Sequence, residues 1–407
     1  MLSLVVGPIK QTFDISDTEV GMLQGLAFGI FYTVLGIPVG RLADRYSRRA
    51  IVGWAIALWS LMTALFGLAR NYTELFLCRM GVGVGEAALN PCAVSLISDY
   101  FPEEKRSTAL GVYTMSAFIG GGLAILLGGA LVTYLQSLGD LTVPGLGHIE
   151  AWQLAFICVG APGVFVGLLM MTVKEPKRRE LFGSVADGKS VPFRVIGQVL
   201  KDKKGAFGAL VCGFALVALD GYAKASWMPE FFVRTFGWTK AEVGLYYGLT
   251  YLVFAGAGAL CGGLAGDLLR RRGHADAPFR AAAIGVAISF PFSVFGPLAG
   301  NEFLALGCIA VATFFSTFPY PLAAASVSQL APNQMRAQAM AFYLLVVNLV
   351  GVGLGPTVTA LLTDFVFGDE AYLRFSLAIV AGCALPLAFV IFVWGMPAYR
   401  KSVGEKT

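Results

Sequence analysis

Long apolar stretches alternate with short polar links along the whole chain. Eleven of the stretches reach about 20 residues, the length that a helix needs to cross roughly 30 Å of hydrocarbon. A further apolar fragment, Met1–Pro8, is too short to span a bilayer. The pattern therefore predicts eleven membrane-spanning helices, at 20–43, 50–69, 73–99, 107–135, 152–173, 206–234, 242–267, 280–299, 302–331, 336–364 and 371–396.

One local pattern occurs twice. Gly40-x-x-x-Asp44-x-x-x-Arg48-Arg49 returns in the second half of the chain as Gly263-x-x-x-Asp267-x-x-x-Arg271-Arg272. Two six-helix repeats are the simplest account, so the complete protein is expected to have twelve helices, with the first truncated in this chain. The predicted domains are a first bundle at 1–173, a basic cytoplasmic linker at 174–205, a second bundle at 206–396 and a cytoplasmic tail at 397–407.

The composition supports an all-α integral membrane protein. Hydrophobic residues make up 57% of the chain and charged residues 14%, and the mean hydropathy is +0.72. Soluble domains carry about 25% charged residues. The net charge of +5 gives no support for nucleic-acid binding. Seven cysteines without a CxxC pair and two histidines in predicted links predict neither a metal site nor a cofactor.

The positive charges are distributed unevenly between the links. Most of the 30 Lys and Arg residues fall in alternate links and in the tail. The positive-inside rule then places those links and both termini in the cytoplasm. The compact links are typical of a bacterial inner-membrane protein, and we expect a monomer.

Two charges inside the third predicted span are candidates for transport chemistry. Arg79 and Glu86 lie seven residues apart, so they point the same way about 10.5 Å apart along a helix. A desolvated carboxylate binds a proton more readily, and a substrate anion that competes for Arg79 could couple binding to protonation. A structural ion pair with a neighbouring helix is the alternative. Neither charge recurs at the corresponding positions of the second repeat, Ile309 and Ser316, which favours function.

A second pair of charges, Asp220 and Lys224, lies one helical turn apart in the sixth predicted span. The two side chains can neutralise each other, and contact with a substrate is an equally good explanation. Aromatic residues that could line a cavity, or only pack, are Tyr222, Trp227, Tyr246 and Tyr320.

The repeated motif in the links is the first of two features that predict movement. Its Asp lies at a helix end, where it can pair with an Arg or face the positive end of another helix, and such contacts can hold one conformation closed. A solvated loop without such a role is the alternative, but the occurrence of the motif in both halves of the sequence argues against chance. The predicted gating residues are Gly40, Asp44, Arg45, Arg48, Arg49, Asp267, Arg271 and Arg272. Helix bending or close packing is predicted at Gly351, Gly355 and Pro356.

The segment from Gly40 to Arg49 resembles the signature between helices 2 and 3 of the major facilitator superfamily, with Ser47 where Gly is usual. Within that superfamily, the stretch from Arg79 to Glu86 with Pro91 and Ser98-Asp99-Tyr100-Phe101-Pro102 resembles the Spinster-type transporters. The resemblance implies movement of sphingosine-1-phosphate or lysophospholipid, with proton coupling through the Arg and Glu. It also implies an Asp-Arg pair in helix 1, at positions ahead of Met1.

The expected function is therefore secondary active transport of an amphipathic anion by alternating access, coupled to protons. The alternative within the superfamily is transport of an organic anion or a sugar phosphate. The chain contains no GxxxxGK[ST] phosphate loop, so its sequence gives no support for ATP-driven pumping. A membrane-embedded enzyme that modifies lipids would need a nucleophile with a base, or a metal cluster. Two histidines in links supply neither, so we expect no enzyme.

Overall fold

The chain is almost entirely helical in the computed structural model, which describes residues 1–139, 141–143, 147–176, 203–331 and 335–404, without the side chains at 37, 41, 44, 45, 103, 104, 106, 107, 141–143, 147 and 337. One small antiparallel hairpin pairs β1 (Leu141–Val143) with β2 (Gly147–Ile149). The helices of the first half are α1 Val6–Phe13, α2 Asp17–Gln24, α3 Leu26–Arg45, α4 Arg48–Phe66, α5 Tyr72–Glu86, α6 Leu89–Tyr100, α7 Glu103–Leu138 and α8 Ala151–Met170.

The second half has the same all-helical character. Its helices are α9 Lys204–Phe236, α10 Lys240–Glu242, α11 Gly248–Arg271, α12 Ala277–Leu298, α13 Glu302–Thr317, α14 Tyr320–Leu330, α15 Arg336–Asn348, α16 Gly355–Leu361 and α17 Leu373–Gly404. Turns of π-helix link some of these helices, at Val243–Tyr247, Leu349–Leu354 and Leu362–Phe367, and short 3₁₀ turns occupy Leu2–Leu4 and Glu370–Tyr372.

Within the described residues, eleven helical segments are long and apolar enough to cross a membrane, which confirms the predicted number. Their bounds differ by a few residues from the apolar runs. The first candidate span begins at Asp17, three residues before the predicted run. Ser16 explains this start, because its hydroxyl accepts from the Glu19 N–H while the Glu19 carboxylate accepts from the Ser16 N–H, a capping box that satisfies otherwise unpaired donors.

Packing divides the chain into two compact units. The first contains Met1–Arg179, Ala225–Leu252 and Val352–Leu373, and the second contains Glu180–Lys224, Val253–Gly351 and Arg374–Thr407. The first unit thus takes segments from both halves of the sequence. The predicted domain boundaries at 173 and 206 separate the two sequence repeats and not these compact units, and they stay a prediction. The predicted linker lies largely outside the described residues.

Small residues allow helices of the first unit to approach closely. A Cβ added at Gly160 in α8 would lie 2.7 Å from the carbonyl oxygen of Ser60 in α4. A side chain at this position would thus collide with α4. Such a close approach of two backbones is typical of membrane helices, whose association depends on dispersion contacts and not on hydrophobic burial. A glycine at this position therefore helps to fix α4 against α8.

Aromatic rings fill the core of the second unit. The ring of Phe392 in α17 lies 5.0 Å from that of Phe214 in α9 and 5.7 Å from that of Phe279 in α12, as measured between centroids. The ring of Tyr399 is tilted by 35° against that of Phe279, with the centroids 4.5 Å apart. All four side chains are buried, so this cluster joins three helices around one centre.

Candidate functional site

The two charges of the third predicted span lie beside an interruption of the helix. Glu86 is the last residue of α5, and α6 begins at Leu89 after a short turn. Pro91 explains the interruption, because it has no N–H to donate to the carbonyl of Ala87. The carboxylate therefore lies in the middle of the candidate span Tyr72–Tyr100.

Arg79 and Glu86 line one cavity of about 290 Å³ in the first unit. The sequence predicted that these side chains face the same way, and the shared cavity agrees with that geometry. The cavity wall combines polar and apolar groups. Its lining residues are Met1, Leu2, Ser3, Gln24, Thr63, Phe66, Arg79, Val82, Glu86, Phe156, Ala225 and Ser226.

Contacts with α2 and α3 hold Arg79 in place. Its Nε donates to the carbonyl oxygen of Leu23 at 3.2 Å, at the end of α2. Its guanidinium carbon lies 5.2 Å from the ring centroid of Phe28 in α3, within cation–π range. The orientation of the arginine is therefore set by a backbone carbonyl and an aromatic face.

Gln24, the residue after Leu23, brings an unused donor to the cavity. Its side chain is buried, and its Nε2 has no hydrogen-bond partner among the described residues. A buried donor without a partner costs about 1–3 kcal/mol. The cavity thus combines a guanidinium and an amide N–H, which both favour an acceptor or an anion, with one carboxylate that can carry a proton.

The second predicted pair, Asp220 and Lys224, lies in the second unit. The Lys224 ammonium is 2.5 Å from the Asp220 carboxylate and donates to the hydroxyls of Ser293 at 2.8 Å and Ser316 at 3.1 Å. Ser289 lies within 3.2 Å of both serines. The ammonium thus has one counter-charge and two hydroxyl acceptors.

The four predicted lining aromatics are not among the residues that line the described cavity. Trp227 is fully buried, and its Nε1 donates to the carbonyl of Pro356 at 2.9 Å. Tyr246 packs against Trp238, with ring centroids 5.4 Å apart. Tyr222 and Tyr320 are partly buried in the second unit. A lining role for these residues stays a prediction.

The predicted gating segment makes a dense set of contacts within the first unit. Arg48 is buried, and its guanidinium contacts Asp99 at 2.5 Å and Glu175 at 3.0 Å. Burial opposes ionisation of Glu175, but hydrogen bonds from the Arg49 N–H and the Arg48 side chain lower its pKa to about 2. Glu175 therefore stays ionised at any physiological pH and fixes the start of α4, where Ser47 also donates to it at 2.8 Å.

The rest of this motif is less constrained. Gly40 lies in α3, while the side chains of Asp44 and Arg45 lie outside the described structure. In the second copy, Asp267, Arg271 and Arg272 are exposed at the end of α11.

The segment with Gly351, Gly355 and Pro356 contains a π-helix at Leu349–Leu354, and α16 begins at Gly355 with Pro356 in its first turn. A gating role for the motif or a bending role for this segment stays a prediction.

Sequence reasoning missed several charged residues that the structure brings together near span ends, together with Gln24. These residues are Lys10, Asp17, Glu230, Arg234, Lys240 and Glu370. No spacing in the sequence connects these residues. Their sequence separations reach 360 residues, which no local pattern reveals.

Known proteins resemble this chain along most of its length. An efflux pump of the MFS type from Mycolicibacterium smegmatis is 30% identical over 99% of this chain and 90% of that protein. A probable L-galactonate transporter from Escherichia coli is 26% identical over 77% of this chain and 68% of its own length. The crystal structure of a bacterial homologue of the human lysosomal transporter Spinster, inward-facing and unoccupied, superimposes with a TM-score of 0.77 at 28% identity, covering 99% of this chain and 92% of that one.

The model of one protein family extends over most of the sequence. It is described as Major Facilitator Superfamily and matches residues 1–356. This match agrees with the eleven candidate spans, with the repeated motif and with the similarity to a bacterial Spinster homologue. The chain therefore belongs to the Major Facilitator Superfamily.

Proposed function

We propose that this chain is a proton-coupled secondary transporter that moves an amphipathic anion by alternating access. Secondary transport of a small molecule follows from its family, whose members are transporters and not enzymes. The single observation that carries the finer proposal is that Arg79, Glu86 and the unpartnered amide of Gln24 line one cavity.

The charges of the cavity support an anionic substrate. In the apolar surroundings of a span, an anion that binds Arg79 and Gln24 would gain two kinds of N–H donor. The same anion would weaken the attraction between Arg79 and the Glu86 carboxylate, because it neutralises the guanidinium. Glu86 would then take up a proton more readily, so substrate and proton would bind together.

The size and the apolar wall of the cavity support an amphipathic ligand. Phe66, Val82 and Phe156 line it together with the charged groups. A volume of about 290 Å³ is at the lower end of the range for ligand pockets, so it suits a polar head group and not a whole lipid. An acyl chain would have to extend beyond this cavity. The substrate class that we propose is lysophospholipid or sphingosine-1-phosphate.

The alternative is a compact organic anion or sugar phosphate. The similarity to a probable L-galactonate transporter supports it, since a sugar acid carries a carboxylate and no acyl chain. The same Arg79 and Gln24 donors would serve a carboxylate or a phosphate. The two alternatives differ in whether transport needs an apolar tail.

For Asp220 and Lys224 we favour mutual neutralisation within the second repeat over substrate contact. The ammonium pairs with the Asp220 carboxylate at 2.5 Å and donates to the hydroxyls of Ser293 and Ser316, so its charge is already neutralised within the second unit. Proton coupling then rests on Glu86. The repeated Gly-Asp-Arg links are proposed as the cytoplasmic gates of the cycle, and Gly351, Gly355 and Pro356 as a bending point.

The proposal is tested in proteoliposomes that contain a trapped pH-sensitive dye. Lysophospholipid, sphingosine-1-phosphate, sugar phosphates and galactonate are added in turn to vesicles with the unaltered chain or with Glu86→Gln. We expect one substrate class to drive proton movement, and we expect Glu86→Gln to abolish the proton signal. Comparison of acylated and tailless anions separates the two substrate classes.

Glu74→Gln is the matched control, because Glu74 lies on the same helix but at its capped first turn, away from the cavity. A glutamine still accepts one of the two hydrogen bonds that the Glu74 carboxylate receives from the Arg70 N–H and the Asn71 side chain, and the site is remote from the cavity, so transport should be unchanged. Substrate flux that carries no protons would contradict proton coupling and indicate a uniporter, whereas full coupling in Glu86→Gln would contradict the role of Glu86 alone.

A further inference from the structure

Four charged side chains of the first unit form a closed ring, which we call the charge ring: Lys10, Asp17, Arg234 and Glu370. Arg234 binds Asp17 with both terminal nitrogens, at 2.6 and 2.8 Å. Lys10 contacts Asp17 at 2.6 Å and also pairs with Glu370. Glu370 closes the ring on Arg234 at 3.4 Å.

The charges of the ring alternate and sum to zero. Asp17 has no exposed surface, whereas Glu370 remains 55% exposed. Arg234 extends the ring inward to Glu230 at 3.1 Å, which in turn contacts Lys240 at 3.4 Å. A buried carboxylate is tolerated when it is fully paired, and the bidentate arginine supplies the strongest form of pairing. Loss of one partner would leave a buried charge uncompensated.

The ring connects segments that are remote in sequence. Asp17 begins α2 in the first half, Arg234 lies in the last turn of α9, and Glu370 lies just before α17. These helix ends are one membrane crossing away from the basic links that follow α3 and α11. The ring therefore joins the two halves of the sequence on the side opposite to the basic links.

A close helix contact continues inward from the ring. A Cβ added at Gly25, at the end of α2, would lie 2.9 Å from the Thr357 hydroxyl oxygen and would overlap the carbonyl of Gly353. Thr357 in α16 is buried and donates to the carbonyl oxygen of Gly21 at 3.3 Å. The Thr18 N–H and hydroxyl both donate to Asp364 at 2.6 Å. Separation of α2 at this contact would break these hydrogen bonds, whereas the contact at Gly25 itself involves no bulky side chain.

We propose that the charge ring is a latch that holds α2 against α9 and α16 and must open once in each transport cycle. A substrate that crosses the membrane has to pass both ends of the spans, so the contacts at this end cannot be permanent. Water would solvate Asp17 and Arg234 after separation, and this hydration offsets much of the lost attraction. The free energy needed to open the ring is therefore smaller than the attraction between its charges in the closed state, so the ring can open and close reversibly.

The experiment measures how often the contact behind the ring opens. Thr357→Cys places a thiol where α2 covers α16, and peptide mapping by mass spectrometry reports its reaction with a water-soluble maleimide separately from the seven native cysteines. In detergent, Asp17→Asn should raise the reaction rate at residue 357 by about tenfold or more, because the open population increases. Arg234→Gln should do the same.

The double variant tests whether the two residues act as one unit. If they hold the latch together, Asp17→Asn with Arg234→Gln should react no faster than the faster single variant. Asp14→Asn is the matched control, since Asp14 is exposed, has a left-handed backbone that Asn also adopts, and lies three residues before Asp17. It should leave the rate unchanged.

Lys10→Gln is the milder variant, because it keeps the bidentate pair, and it should raise the rate by a smaller factor. Rates that stay unchanged in folded Asp17→Asn and Lys10→Gln, or a double variant that reacts at the product of the single effects, would overturn the latch. The inference rests on the proposed transport cycle. The thiol reaction needs neither substrate nor a proton gradient, so a failure of coupling at Glu86 would not alter its result.

Discussion

Arg79 and Lys224 are both cations within spans, and their partners differ in kind. The Arg79 guanidinium has a carbonyl and an aromatic face as neighbours, and it borders a cavity. Lys224 has a carboxylate and two hydroxyls at hydrogen-bond distance. One of these hydroxyls belongs to Ser316, which occupies the position of the second repeat that corresponds to Glu86. The second repeat thus places a neutral hydroxyl where the first repeat has a titratable carboxylate.

The fixed pair makes a prediction about stability. Lys224→Met should lower the free energy of unfolding by about 3–5 kcal/mol, because Asp220 is 1% exposed and would lose its counter-charge. The double variant Asp220→Asn with Lys224→Met should recover a large part of this loss. Thermal unfolding in detergent measures both effects. Lys401→Met, at an exposed position of α17, serves as the control and should change little.

Transport assays distinguish the competing explanation for this pair. If Lys224 contacts substrate, Lys224→Met would keep its melting temperature and lose substrate binding. The double variant would then stay inactive, because it also lacks the cation that binds substrate. Recovery of stability together with transport would instead support mutual neutralisation.

At the level of helices, the sequence predicted the spans well because a single physical requirement determines them. A span needs enough consecutive apolar residues to cross the hydrocarbon core of the bilayer, and this pattern can be recognised locally in the sequence. All eleven apolar runs correspond to candidate spans of the described chain. Starts such as Asp17 were missed by about one turn, because the capping box of Ser16 and Glu19 extends the helix into polar sequence.

The interruptions and the charge ring could not be predicted in the same way. The break between α2 and α3 at Gly25 coincides with close packing against Gly353, which lies in the other half of the sequence. The pairing of Asp17 with Arg234 is likewise a product of tertiary structure. Arg79 and Glu86 were predictable as a pair on one face, since helical spacing alone places them, but the contribution of Gln24 depends on the end of α2.

The close contact at Gly25 makes a prediction at the scale of helix packing. Gly25→Ala should lower the melting temperature by roughly 2–8 °C, because its Cβ would overlap backbone atoms of Gly353 that cannot move cheaply. Gly36→Ala lies in the same candidate span, where nothing approaches within 4 Å of an added Cβ. It should leave the melting temperature unchanged or raise it slightly, since alanine favours a helix. Equal effects of the two variants would contradict the packing argument.

At the scale of the whole molecule, charge asymmetry is the main guide to orientation in the membrane. Arg270, Arg271, Arg272 and Arg280 border the link between α11 and α12, and Arg400 and Lys401 lie near the end of α17. The opposite end of α12 leads into a link without Lys or Arg, around Gly300 and Asn301. Basic links are retained on the cytoplasmic side during insertion. We therefore expect the start of α12 to lie on the cytoplasmic side of the membrane and its end, near Gly300, on the opposite side.

Reporter fusions test this orientation in bacterial cells. Green fluorescent protein joined after Thr407 should fluoresce, because it folds in the cytoplasm. Alkaline phosphatase inserted between Gly300 and Asn301 should be active, because it acquires its disulfides only in the oxidising periplasm. The reciprocal fusions, phosphatase at the tail and fluorescent protein at Gly300, should be silent and serve as matched controls. The reverse pattern would place the basic links outside, and it would also put the charge ring on the cytoplasmic side, so that the latch would control release into the cell.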